Sequence, residues 1–364
     1  MVVIGATGVF GSRIARRLAQ DVRFSLVLAG RRLAPLEALR DSIGRHVDIA
    51  QLDMERSDAA AHLGRLQPQL VIHTAGPFQG QDYRVAEACL AVDSDYLDLA
   101  DGRAFVCGIT RLDERARRTG RLLVSGASSV PALSAAVVDA LLPRFGRIER
   151  IEHAISPGNR TPRGDATVAS ILGYCGRPIR VWRDGRWQHA HGWMDGKRQS
   201  FPFGRRRVGV CEVPDLDLFP ARYPGIRTVL FRAGLELPLL QAGTWCAAGL
   251  VRLGLIRDLA RCAPVLRRFS ERFVGFGTDI GGMVVEVSGT DPAGEALCLR
   301  WWLDADAGDG PQVPVTPAVV LAQQLADGGV DAHGAMPCMG LLPLERIEAG
   351  FAGYALRTGI ERIG

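Results

Sequence analysis

The first eleven residues constrain this chain more than any other stretch, because a short apolar strand runs straight into a turn with glycine at positions 5, 8 and 11. From Ser12 onward, apolar residues recur at helical spacing with arginines on the other side, so the turn opens an amphipathic helix. Glycines in this order allow a pyrophosphate to approach the free N–H groups of the helix N-terminus. The pattern predicts a dinucleotide-binding loop rather than an ordinary tight turn.

The end of the second predicted strand, Phe24–Ala29, indicates which dinucleotide binds. About twenty residues past the glycine turn, such folds carry an acidic residue that binds the ribose hydroxyls of NAD. Arg31 and Arg32 stand at this place. A guanidinium suits the 2′-phosphate of NADP, so we expect NADP (NADPH) in preference to NAD; the alternative is a solvated basic strand end.

Two further strand ends contribute to the expected site. Asp53 ends the third strand, where its carboxylate accepts a hydrogen bond from adenine or caps the following helix. The fourth strand, Leu70–Ala75, is nearly all apolar, as a central parallel strand should be, and it runs into a turn where the nicotinamide end would rest. The residues expected to contact the cofactor are Gly5, Thr7, Gly8, Val9, Phe10, Gly11, Arg31, Arg32, Asp53, Ala75, Gly76 and Pro77.

The alternation of predicted strands and helices indicates an α/β fold. Up to Gly126, five to six apolar strands alternate with helices, which is typical of a doubly wound parallel sheet. After Pro143 the apolar runs become longer and alternating, which predicts a second α+β domain with a mostly antiparallel sheet.

Composition narrows the class of protein. The 364 residues are 47% hydrophobic and 23% charged, as in an ordinary soluble protein, and eight cysteines without a Cys-x-x-Cys pair indicate a reduced, cytoplasmic chain.

The first strand begins at Met1 with no signal peptide before it and looks clipped, so whether the native chain extends further stays open. His189 and His191 lack a third ligand, so no metal site is expected. The basic run 205–207 is too short to predict nucleic-acid binding.

The stretch Leu237–Val251 contains fifteen uncharged residues and is followed by six arginines up to Arg272. A membrane-spanning helix needs about twenty apolar residues, so a span is not expected. We favour a buried or dimer-interface helix; the alternative is an in-plane helix whose arginines meet anionic headgroups, which would suit a lipid-like substrate.

The motifs together resemble the saccharopine dehydrogenase-like oxidoreductases. They are the glycine turn, Ala75-Gly76-Pro77-Phe78, Tyr96-Leu97-Asp98-Leu99, Gly281-Gly282-Met283 and Gly334-Ala335-Met336-Pro337. The resemblance implies an NADP-binding Rossmann domain over residues 1–127 and a substrate and dimerisation domain over 128–330. It also implies a C-terminal segment, about 331–364, that returns to the first domain, and a homodimer.

This chain differs from the family at one motif after the sixth strand. Saccharopine-forming members carry Asp-Pro-Gly there to help hold an amino acid, whereas this chain has Val130-Pro131-Ala132. The ammonium of an amino acid therefore loses a partner, and saccharopine is not the expected substrate.

Catalytic residues are less clearly indicated. Lys197 is the only lysine and has Trp193 four residues before it, which excludes the Tyr-x-x-x-Lys pair of short-chain dehydrogenases. Asp98 and Asp101 lie at the carboxyl edge of the sheet, where either could relay a proton or cap a turn. His73, inside an apolar strand, is expected to be a core residue.

A loop in the second domain provides the candidates for substrate binding. Arg160 and Arg163 would bind a substrate carboxylate or phosphate, or would simply be solvated.

These features predict an NADP-dependent oxidoreductase that transfers a hydride between nicotinamide and a small or lipid-like substrate at a cleft between two domains. The alternative is a protein that binds NADP without turnover, as a sensor or scaffold, at a membrane through Leu237–Arg272.

Overall fold

A computed structural model describes residues 1–162, 164–257 and 259–363 of the chain. The strands are β1 (Val2–Ile4), β2 (Val27–Gly30), β3 (Asp48–Gln51), β4 (Leu70–His73), β5 (Asp95–Asp98), β6 (Leu122–Ser125), β7 (Arg147–Ser156), β8 (Pro178–Arg183), β9 (Arg186–His191), β10 (Lys197–Phe201), β11 (Gly204–Val210), β12 (Thr228–Ala233), β13 (Gly281–Thr290), β14 (Ala296–Ala305), β15 (Gly334–Pro337) and β16 (Leu356–Arg362). The α-helices are α1 (Val9–Ala19), α2 (Leu33–Ile43), α3 (Ala59–Arg65), α4 (Arg84–Ala91), α5 (Arg103–Gly108), α6 (Asp113–Thr119), α7 (Ser134–Leu141), α8 (Asp165–Tyr174), α9 (Asp215–Arg222), α10 (Pro238–Arg252), α11 (Ala263–Glu271), α12 (Thr316–Ala326) and α13 (Leu344–Ala349).

The first sheet has seven parallel strands in the order β15-β6-β5-β4-β1-β2-β3. The strand order reverses between β1 and β4, so this pair is the switch point at which open α/β sheets bind ligands. The buried face of α1 includes Ile14, Ala15 and Leu18, as the amphipathic pattern predicted. The predicted doubly wound parallel sheet is therefore confirmed.

The second sheet has nine strands, with β10-β11-β12-β7-β13-β14-β16 as its main path and β8 and β9 branching from β12. Strands β7 and β12 pair in parallel, whereas the other pairs are antiparallel. The second sheet is therefore mixed and mostly antiparallel, which confirms the predicted fold class.

The chain forms two compact units: residues 1–133 with 312–342, and residues 134–311 with 343–364. Within the C-terminal segment, Gly334–Pro337 pairs with β6 of the first sheet, whereas Leu356–Arg362 pairs with β14 of the second. The roles assigned to residues 1–127, 128–330 and 331–364 stay predictions.

Candidate cofactor-binding site

A backbone hydrogen bond within the turn between β1 and α1 stabilises its conformation. Gly5 has a φ of +77°, and its carbonyl accepts a hydrogen bond of 2.9 Å from the Gly8 N–H. A Cβ on Gly11 would lie 2.3 Å from the Gly5 oxygen. Only glycine at position 11 therefore lets the first turn of α1 pack this closely against the loop.

Thr74, directly after β4, ties the glycine turn to the neighbouring strand. Its hydroxyl donates to the carbonyls of Ile4, at 2.9 Å, and Gly5, at 3.1 Å. A Cβ on Gly5 would lie 2.8 Å from the same Oγ1. Sequence reasoning missed Thr74, although a lone hydroxyl at the end of an apolar strand was a signal for it.

The N-terminus of α1 is open to a ligand. Gly8 precedes the helix in an extended conformation without a side-chain cap, and the first turn of the helix contains no acidic residue. The first N–H groups of a helix have no intrahelical acceptor and carry a partial positive charge. Thr7 and Gly8 are exposed, and Val9 and Phe10 are half-buried, so an anion can reach these groups.

Arg31 and Arg32 are both exposed at the carboxyl end of β2. The Arg31 carbonyl accepts a hydrogen bond of 2.9 Å from Gln51, and Arg32 occupies the N-cap position of α2. Within the described ranges, neither guanidinium is paired with a carboxylate. Both are therefore available to a phosphate.

Asp53 follows β3 and is half-buried. Its carboxylate accepts a hydrogen bond of 3.1 Å from the Glu55 N–H, and its carbonyl accepts one from Arg56. The side chain thus stabilises the local turn that follows β3, a role similar to the capping role given above as the alternative to adenine binding. Its contact with adenine stays a prediction.

The turn after β4 presents Ala75 and Pro77 to solvent, with Gly76 half-buried between them. Gln81 stabilises this turn, because its side-chain amide donates hydrogen bonds to the carbonyls of Ala75, at 2.9 Å, and Pro77, at 2.7 Å. Sequence reasoning did not identify Gln81. Because β1 and β4 are parallel neighbours, this turn and the glycine turn meet at one edge of the sheet.

Asp98 is completely buried at the end of β5. Its Oδ1 accepts hydrogen bonds from the Ser125 hydroxyl and from the N–H groups of Ala100 and Gly126, at 2.8–3.0 Å. Burial raises the pKa of Asp98 to about 6, and the three donors oppose that rise. The carboxylate holds the ends of β5 and β6 together and is closed off from solvent.

Asp101 and His73 differ from each other in exposure. Asp101 is half-buried and accepts a hydrogen bond of 3.1 Å from Gln79. His73 is buried in β4, its Nδ1 lies 3.1 Å from the Tyr96 hydroxyl, and burial lowers its pKa to about 4. His73 is therefore a neutral core residue, in agreement with the sequence-based interpretation.

The two arginines predicted to bind substrate belong to the second unit. Arg160 is exposed, and its guanidinium donates to the Gly275 carbonyl at 3.3 Å. Its backbone N–H donates to the Thr278 carbonyl at 2.9 Å, which fixes the loop. Arg163 lies outside the described residues.

Comparisons with known proteins agree with this geometry. Residues 1–124 match the family model described as saccharopine dehydrogenase NADP binding domain. The fold is similar to that of saccharopine dehydrogenase (L-Glu forming) from Saccharomyces cerevisiae, with a TM-score of 0.71 and 12% identity over 100% of this chain and 99% of that chain. It is also similar to homospermidine synthase from Legionella pneumophila in complex with NAD, with a TM-score of 0.63 and 10% identity over 100% and 91% of the two chains.

One curated relative is similar in sequence. The trans-acting enoyl reductase of Mycobacterium ulcerans (strain Agy99) is 30% identical over 139 residues, which cover 36% of this chain. The match spans about a third (33%) of that relative's length. The match of residues 1–124 to this family model, at the candidate cofactor site, indicates a dehydrogenase or oxidoreductase class. Over residues 1–124, the chain is similar to the NADP-binding domain of saccharopine dehydrogenase-like oxidoreductases.

Proposed function

We propose that the protein is an NADP-dependent oxidoreductase that transfers a hydride between nicotinamide and a small or lipid-like substrate. The uncapped N-terminus of α1 carries this proposal, because Gly8 and Gly11 leave its first N–H groups within reach of a pyrophosphate.

The residues around the turn fit the parts of NADP. The N–H groups of Val9, Phe10 and Gly11, in the first turn of α1, hold the pyrophosphate, and Arg31 and Arg32 hold the 2′-phosphate. Asp53 accepts from adenine, and the turn Ala75–Pro77 borders the nicotinamide end. When bound, the cofactor supplies or accepts a hydride at its nicotinamide ring.

The two acidic candidates take different roles. Asp98 is a positioning residue, because its buried carboxylate fixes the backbone at Ala100 and Gly126. Asp101 is the candidate that solvent reaches, so we assign to it the relay of the proton that accompanies hydride transfer. Replacing Asp101 by Asn should lower turnover while leaving NADPH affinity unchanged.

Val130 and the curated relative support a class of substrate. Val130 is buried where saccharopine-forming members carry a carboxylate, so an amino-acid ammonium has no partner at that position. An activated carbon–carbon double bond needs no such partner, and similarity to a protein named an enoyl reductase supports this class. Arg160 and Arg163 would hold an acidic group of the substrate.

The test is consumption of NADPH by the purified protein in the presence of enoyl thioesters, unsaturated lipids, imines and polyamine precursors. We expect oxidation of NADPH with an unsaturated acyl substrate, and slower oxidation by the Asp101→Asn variant. A protein that binds NADPH tightly and oxidises it with none of these compounds would be the sensor or scaffold instead. Light scattering of the same sample tests the predicted homodimer.

A further inference from the structure

An apolar surface of the second unit has no role in the proposed reaction. Nine of the fourteen large hydrophobic side chains that are exposed in the described chain fall within residues 238–276, which we call the 238–276 surface. Leu253, Leu255 and Phe276 are 74%, 71% and 77% exposed. Scattered single apolar residues are normal on a protein surface, whereas nine within one segment set this segment apart from the rest of the described chain.

Helix α10 contributes one bare face to this surface. Leu239, Cys246 and Leu250 are exposed at positions that share one side of the helix, whereas Gln241 and Ala248 on the other side are buried. The buried side of the helix packs closely on the backbone at Gly176, where a Cβ would lie only 2.2 Å from the Ala248 carbonyl oxygen. One side of α10 is therefore packed against its own unit, and the other side is exposed in the single chain.

Helix α11 repeats the arrangement. It packs on α8 and leaves Val265 and Phe269, one turn apart, 70% and 50% exposed. Arg268 and Arg272 are exposed beside this pair. Apolar side chains flanked by arginines are typical of helices that lie in a membrane interface, and the half-exposed Trp245 of α10 is of the type enriched at that depth.

The charge of this surface decides between a membrane and a second copy of the chain. Residues 238–276 contain six arginines against Asp258 and Glu271, a net charge of +4 out of +5 for the whole chain. Two copies that met through this surface about a twofold axis would bring like charges together. Anionic headgroups would neutralise the same charges while the acyl boundary takes up the apolar side chains.

We infer that the 238–276 surface docks the protein on membranes that contain anionic lipids. The contact is peripheral, since among the described residues no helix is both long and apolar enough to cross a bilayer. This inference does not depend on the proposed function, because it uses no residue of the cofactor site.

The experiment is flotation of the full chain with vesicles of phosphatidylcholine alone or mixed with phosphatidylglycerol. The wild type should float with the mixed vesicles only, and added salt should weaken the association. Substituting Arg268→Gln and Arg272→Gln together should lower partitioning about 25-fold, since each arginine near an anionic surface is worth about fivefold. Substituting Leu255→Ser and Phe276→Ser together should lower it at least about tenfold.

Matched controls come from the first unit, where Arg118 and Val22 are exposed. Arg118→Gln and Val22→Ser should float like the wild type, and the circular dichroism spectrum and urea denaturation of every variant show that it is folded. The inference is overturned if the wild type ignores mixed vesicles or floats equally with neutral ones. It is also overturned if the 238–276 variants dissociate a dimer without any vesicle binding by the wild type.

Discussion

Substituting Gly11→Ala is the most direct perturbation of the cofactor loop. The new methyl group would lie 2.3 Å from the Gly5 oxygen and 2.6 Å from the Thr74 hydroxyl. Reaching ordinary contact distance requires a movement of roughly 1 Å between α1 and the turn, and overpacking of this kind costs about 1–3 kcal/mol of folding stability. The same movement displaces the first N–H groups of α1 from the pyrophosphate. Loss of one hydrogen bond to a charged group, about 1.5–3 kcal/mol, lowers NADPH affinity about 10- to 150-fold.

The assay is titration of the variant with NADPH, followed by nicotinamide fluorescence, beside urea denaturation of the free protein. Gly173→Ala in α8 is the matched control, because a Cβ there meets no atom within 4 Å. The control should bind NADPH like the wild type. The reasoning is refuted if Gly11→Ala binds NADPH as tightly as Gly173→Ala does.

Three further predictions concern single side chains. Arg31→Asp should weaken NADPH binding at least about tenfold and favour NADH, whereas Arg118→Asp should change neither, as parallel titrations would reveal; equal affinities in both variants would contradict the assignment of the 2′-phosphate. Thr74→Val should cost about 1 kcal/mol of stability in urea and weaken NADPH binding, and Thr74→Ser should restore both; a Val variant with wild-type behaviour would remove Thr74 from the site. Burial raises the pKa of Asp98 to about 6, above its unfolded value of about 3.9. The protonated form therefore contributes stability that is fully present below about pH 4 and lost as the pH rises through about 6, a loss of about 3 kcal/mol. Asp98→Asn should abolish this part of the pH dependence, and denaturation curves of the two proteins that run parallel from pH 4 to 7 would argue against it.

The parts of the fold that depend on local patterns were predictable from the sequence. Strand β4 is buried throughout and lies within the nearly all apolar run Leu70–Ala75 that was predicted as a strand. The glycine turn was readable as well, since residue order alone places it between a strand and a helix. Patterns of this kind depend on neighbours in sequence, so one chain suffices to find them.

The contacts made between distant segments were not predictable. Thr74 bonds to the glycine turn only because β4 is the neighbour of β1, and Asp98 is enclosed because β6 supplies Ser125 and Gly126. The sequence of a strand end at the carboxyl edge of a sheet does not show whether a neighbouring strand covers its side chain. The uncharged stretch of α10 shows the same limit, since apolar residues on both sides of a helix do not reveal which side is packed.

We propose that the loop from Gly5 to Gly11, together with Arg31 and Arg32, binds NADP. The measurement that tests it most directly is titration of the purified wild-type protein with NADPH and with NADH, followed by nicotinamide fluorescence. We expect tight binding of NADPH and binding of NADH at least about tenfold weaker, because only NADPH carries the 2′-phosphate. Equal affinity for the two would contradict the role of the arginines, and binding of neither would contradict the cofactor site itself.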